Sequence, residues 1–173
     1  MPVPSPPGGP PHAGDAVKGK RAFRILFVDG PNLNVLGDRE PSVYGRETLA
    51  DIREAVTAAA LTEGAAVAFF QSNHEGEIVE RLQAAKRRFD GVVINPAAYT
   101  HTSVAVRDAL LYSGLPAIEV HLTNPASREE FRKVSLVEDV VVGRICGVGG
   151  YGYTLALLAL LRHLRREGAR GRA

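Results

Sequence analysis

Residues 24–34 read Arg24-Ile-Leu-Phe-Val-Asp-Gly-Pro-Asn-Leu-Asn34. Ile25 to Val28 form an unbroken apolar run, too short for a helix and too continuous for a strand that is wet on one side. Such a run, stopped by Asp-Gly-Pro-Asn, predicts a strand covered on both faces that ends in a polar loop. The same form recurs at Ala65–Gln71, Gly91–Asn95, Pro116–Leu122 and Asp139–Cys146. Helical patterns lie between these runs. Thr48-Leu-Ala-Asp51 has capping-box spacing and opens a helix that Gly64 closes. Glu75–Arg88 carries Ile78, Leu82 and Ala85 on one stripe. Thr102 or Ser103 caps a helix through Leu111 that Gly114 ends, and Gly150–Leu164 forms the last. Between the fourth and fifth runs only a short helical turn around Glu129–Lys133 is expected. Strands alternating with helices predict an α/β fold: a flavodoxin-like, five-stranded parallel sheet with helices on both faces.

The 173 residues suit one domain, read here as residues 23–164. Before it, the first 14 residues hold six of the chain's eleven prolines, so residues 1–22 read as a disordered, partly polyproline extension. After it, residues 165–173 read as a basic tail. Charge follows the same division. Residues 1–24 carry four basic side chains against Asp15, and residues 162–173 carry five arginines against Glu167. These ends exceed the net charge of +2 between them, so the body is acidic. Aromatic residues do not interleave with the basic ones after Phe23, which argues against nucleic acid as a partner. A single cysteine, Cys146, excludes an internal disulfide framework and fits a reducing compartment such as the cytoplasm. Leu155–Leu161 is the longest apolar run, well short of the roughly 20 residues of a membrane helix. No basic-then-apolar leader precedes the first strand, so no secretory signal is expected.

Ligands of such sheets bind beyond the carboxyl ends of the strands, and there the polar chemistry of this chain collects. The first strand leads into Gly30–Gly45, the second into Ser72–Gly76, the third into Pro96–Ser103. The fourth ends at Glu119-Val-His121, and the fifth runs into Gly147–Gly152. His74, His101 and His121 all sit in or near these exits. Gly30–Gly45 is long for a βα loop and rich in Gly, Pro and Asn, as suits a segment that closes over a ligand. It carries Arg39 and Tyr44. A phenol titrates near 10 and is a poor base at neutral pH unless a cation favours its phenolate; an arginine is that cation. The same pair also reads as a packed ring beside a surface arginine. Glu119 and His121, two apart on a strand, share a face, so the carboxylate can orient the imidazole as a general acid; a histidine bonded at a sheet edge is the plainer reading. His101, Asp108 and Arg132 are polar groups able to hold hydroxyls, although a solvated charged face also accounts for Asp108.

Some chemistry is argued against. GVGGYG at 147–152 fits a dinucleotide fingerprint, but no second strand follows to hold a ribose, so close helix–strand packing or an amide nest is expected. His74, Glu75, His101 and His121 lack the spacing of a metal motif. The body's lysines, Lys86 and Lys133, sit away from the strand ends, which leaves no Schiff-base nucleophile. Cys146, in an apolar strand, reads as a small core residue.

Six blocks now stand in order: GPNLNVLGDREPSVYG (30–45), QSNHEGEIVE (71–80), INPAAYTHTSVAVRDAL (94–110), IEVHLTN (118–124), SREEFR (127–132) and GVGGYGY (147–153). Together, over residues 23–164, they resemble the type II 3-dehydroquinate dehydratases. The resemblance implies a cofactor-free lyase that dehydrates 3-dehydroquinate to 3-dehydroshikimate with trans geometry, in the shikimate route to aromatic compounds or in quinate breakdown. It implies a homododecamer of four trimers. It implies Tyr44 as the base, with Arg39 lowering its pKa, and Asn32 stabilising the enolate through water. His121 becomes the acid, backed by Glu119. Substrate contacts carry over to Asn95, His101, Asp108 and Arg132, with the backbone of Leu122 and Thr123 around the carboxylate. Thr123 departs from the family's usual serine, and Asn124-Pro-Ala-Ser-Arg128 from a stretch that usually holds a histidine.

Overall fold

The computed structural model describes residues 21–38 and 47–170. Most of the expected N-terminal extension, Arg39, Tyr44 and residues 171–173 lie outside the described residues. The strands are β1 (Arg24–Asp29), β2 (Ala66–Gln71), β3 (Gly91–Asn95), β4 (Ala117–His121) and β5 (Gly143–Cys146). Four α-helices alternate with them: α1 (Leu49–Thr62), α2 (Glu75–Ala85), α3 (Val104–Ser113) and α4 (Tyr151–Arg170). All strand pairings are parallel, in the order β2-β1-β3-β4-β5. That is the doubly wound, flavodoxin-like order, as expected from the sequence.

Alternation along each strand sorts the core into two layers. Ile25, Phe27, Val93, Ile118 and Val120 pack with Ile52 and Val56 of α1 and with Leu157, Leu160 and Leu161 of α4. Leu26, Val28, Val92, Ile94 and Ala117 face the other way, onto Ile78 and Leu82 of α2 and Val106 and Leu110 of α3. Each of the Val, Leu, Ile and Phe side chains among them, fully buried, contributes about 1.5–3 kcal/mol. β1, β3 and β4 are therefore covered on both faces, while the edge strands β2 and β5 are only half-buried.

The helix ends follow their local chemistry. Thr48 and Asp51 close the capping box of α1, and Ser103, rather than Thr102, accepts from Val106 N to cap α3. Gly64 and Gly114 follow their helices in left-handed backbone. Three boundaries differ from expectation by three residues or more. β5 begins at Gly143, four residues later than read, because Asp139 is drawn off the strand line to Arg107. α2 stops at Ala85 instead of Arg88. α4 runs to Arg170, beyond Leu164 and into the segment read as a tail; Arg165 there donates to Glu63 at 2.7 Å, tying its last turns to the end of α1. No helix among the described residues is long and apolar enough to cross a membrane.

Candidate active site

The order β2-β1-β3 reverses direction between β1 and β3, which opens a crevice beyond their carboxyl ends. Three exits meet there. After β1, Gly30 is pressed against β3's exit: a Cβ on it would lie 2.3 Å from the Pro96 carbonyl oxygen. Gly30 N donates to Asn95 O at 2.8 Å. The chain then turns through Asn32 in left-handed backbone, φ 67°, with its N–H on Asn73 Oδ1 at 2.9 Å.

After β3, Asn95 is buried. Its Oδ1 accepts from Ala97 N at 3.1 Å and its Nδ2 donates to Tyr153 Oη at 2.9 Å. Tyr153 donates in turn to Asp29 Oδ1 at 2.8 Å, and Arg53 lies 3.5 Å from Asp29 Oδ2. Burial raises the Asp29 carboxyl to about 6, against the lowering effect of the Tyr153 hydrogen bond and the Arg53 charge. Burial, with the nearby Asp29 charge, pushes the Tyr153 phenol well above its usual range.

At the end of β4, Glu119 and His121 do share a face. His121 Nε2 meets Glu119 Oε1 at 2.6 Å, and Glu119 has no solvent exposure. Ser135 Oγ donates to the same carboxylate at 2.9 Å, and Arg144 Nε lies 3.4 Å from its other oxygen. The carbonyls of His121 and Leu122 accept from Gly147 and Gly149, pinning the exit.

A cavity of about 130 Å³ occupies the crevice, and Asn32, Asn95, His101, His121, Leu122, Thr123 and Arg132 line it. His101 is fixed by a 2.7 Å contact of Nδ1 with Val134 O, and Arg132 Nε donates to Glu129 at 2.9 Å. Glu119 stands behind His121. Asp108 is not brought to the cavity: it lies exposed on α3. Arg39 and Tyr44 fall outside the described residues.

The structure adds residues that sequence reading missed. Pro125 and Arg128 line the cavity, in the stretch singled out as a departure, where Asn124 Oδ1 caps the turn by accepting from Ala126 N at 3.1 Å. Asp29, the one acid ending an otherwise apolar strand, carried a readable signal. Ser135, Arg144 and Tyr153 carried none. GVGGYG serves packing: Gly150 N donates to Glu47 at 3.1 Å, and no room is left for a Cβ beside Glu47 and Ile52. Among the described residues no three His, Cys, Asp or Glu side chains converge on a metal position. Cys146 is half-buried, and burial raises its thiol.

Chemically, the cavity offers an imidazole braced by a buried carboxylate, amides on the facing wall and two guanidinium groups on its rim. It suits a small, oxygen-rich anion, with proton transfer at His121.

Comparison with known proteins bears on that reading. The sequence profile of the family described as "Dehydroquinase class II" matches residues 23–161. The 3-dehydroquinate dehydratase of Campylobacter hominis is 51% identical over 140 residues, covering 81% of this chain and 90% of that protein. Catabolic 3-dehydroquinase 1 of Aspergillus terreus is 56% identical over 133 residues, covering 77% and 88%. The crystal structure of the type II dehydroquinase of Butyrivibrio crossotus superposes with a TM-score of 0.78 at 44% identity, covering 80% of this chain and 97% of that one.

Proposed function

We propose how the site works from the premise that this chain belongs to the class II dehydroquinase family. It is a carbon–oxygen lyase that removes water from 3-dehydroquinate, giving 3-dehydroshikimate. In our reading, Tyr44, ionised under the influence of Arg39, takes the proton from the carbon beside the ketone. The electron pair moves into an enolate, which Asn32 stabilises through water. The enolate then collapses, the carbon–oxygen bond breaks, and His121 delivers a proton so that the hydroxyl leaves as water. Because His121 Nε2 is held by Glu119, Nδ1 is the nitrogen left for that proton. Asn95, His101, Arg132 and the backbone of Leu122 and Thr123 hold the substrate's oxygens.

The buried Glu119–His121 pair on the wall of the crevice carries this reading. Elimination beside a ketone needs a base, an acid across the ring and a place for enolate charge; lysine and cofactors are not required. The test is direct. On addition of 3-dehydroquinate, conjugated-enone absorbance grows and borohydride leaves the rate unchanged; inactivation by borohydride would mean an imine and end the reading. Tyr44→Phe lowers kcat by about 10²–10⁴-fold with little change in KM, and a parental kcat would remove Tyr44 as base.

We place the reaction in the shikimate route to chorismate and the aromatic amino acids, in the cytoplasm, where a lone thiol stays reduced. The Aspergillus relative's name favours a second setting, quinate breakdown. A homododecamer is the expected assembly. Val104, Asp108, Leu111 and Tyr112 are all exposed on one face of α3, a surface that assembly would cover. Asp108 would then act on substrate across a subunit boundary. Light scattering tests the assembly.

A further inference from the structure

The hydrogen bonds beneath Asn95 run in one direction only, and that direction is dictated by a backbone group. Ala97 N–H can only donate, so the amide atom 3.1 Å from it is Oδ1. Nδ2 therefore faces Tyr153 Oη, which must accept. The single proton of Tyr153 then goes to Asp29 Oδ1. Arg53, from α1, is the other charged group at this carboxylate. Asp29, Asn95 and Tyr153 are almost fully buried, so the hydrogen bonds among them form away from bulk water. With Oδ1 and one Nδ2 hydrogen engaged, the amide keeps one further donor, and Asn95 lines the cavity.

We propose that Tyr153 is a positioning residue that, anchored on Asp29, fixes the Asn95 amide as a hydrogen-bond donor to an oxygen of the bound substrate. The inference rests on the reading of Asn95 as a substrate contact. Ala97, left-handed at φ 53° and itself on the cavity wall, is held by the same amide. Loosening Asn95 therefore frees two elements of the wall together.

Tyr153→Phe keeps the ring stacked on Phe27 and removes only the hydroxyl. KM for 3-dehydroquinate rises about five- to tenfold, as for the loss of one buried hydrogen bond, while kcat stays within about twofold. A merely structural role would reduce the amount of active enzyme, seen in kcat, and leave KM alone. Asn95→Ala also raises KM, and adding Tyr153→Phe to it raises KM no further. A parental KM in Tyr153→Phe, or a second full rise in the double variant, overturns the proposal. A parental KM in Asn95→Ala shows instead that the reading of Asn95 itself has failed. Should Tyr153→Phe not fold, side-chain amide exchange of Asn95 in the parent protein decides. One Nδ2 hydrogen is protected and the other shifts on adding substrate; equal exchange of both overturns the proposal.

Discussion

Glu119 shows how much a single side chain can be asked to do. Its carboxylate has no exposure, accepts from Ser135, lies beside Arg144 and braces His121. A buried carboxylate is tolerable only when paired and bonded in this way. Glu119→Gln keeps the volume but replaces one oxygen with an amide nitrogen that can only donate. The imidazole then loses its fixed partner, and kcat falls by about 10²-fold or more with KM little changed. Steady-state kinetics at saturating substrate checks this; an unchanged kcat would mean that the brace is ornamental. The Glu119–His121 pair was legible because spacing of two on a strand puts both on one face. Ser135 was not, since it arrives through an aperiodic loop. Asp29 and Tyr153 meet across 124 positions of sequence, and no local period reports such an encounter.

Among the elements, β1 and β3 read true to the residue, whereas β5 and α4 departed. β1 beyond Arg24 and the whole of β3 are buried on both faces, so they are written as apolar runs that end in Asp29 and Asn95. β5 is an edge strand. Its apolar neighbours at 140–142 belong to a turn, in which Val140 N donates to Val137 O, and composition alone cannot separate the two. α4 outran its apolar stripe because an ion pair with Glu63, invisible to periodicity, supports its arginine-rich end. The contact that sets the crevice's width is between elements as well. Gly30 and Pro96 touch backbone to backbone, so Gly30→Ala forces the β1 and β3 exits apart. The variant loses about 1–3 kcal/mol of stability, by the usual scale of overpacking. KM rises with it, because Asn32 and Asn95 stand on the two displaced segments. Denaturant midpoints read the first effect and substrate titration the second; an unperturbed midpoint would contradict the observed contact.

At the scale of the whole molecule, the sheet sends one polar cluster down each of its faces to a common edge. Asp29, Asn95 and Tyr153 lie toward α1 and α4, while Glu119 and His121 lie on the opposite side, toward α2 and α3. Strand order, unreadable from sequence, is what brings the two together at the β1–β3 crevice. This layout also marks folding stability. Asp29 titrates near 6 in the folded protein, above its value of about 4 in an unfolded chain, so folding favours its protonated form. Its contribution is fully present below about pH 4 and is lost as pH rises through about 6. The loss amounts to ~3 kcal/mol, from roughly two pKa units at 1.36 kcal/mol each. Asp51, Glu129 and Asp139, held below their usual values by hydrogen bonds, act in the opposite sense: they stabilise above the ordinary carboxylate range and lose that effect in acid. Because those three are common to both proteins, comparing the parent with Asp29→Asn isolates the buried group. Urea unfolding at intervals from pH 4 to 7.5 gives two stability curves. The variant's stability relative to the parent climbs across pH 4–6 and levels above it, whereas a constant offset would mean that Asp29 is ionised throughout.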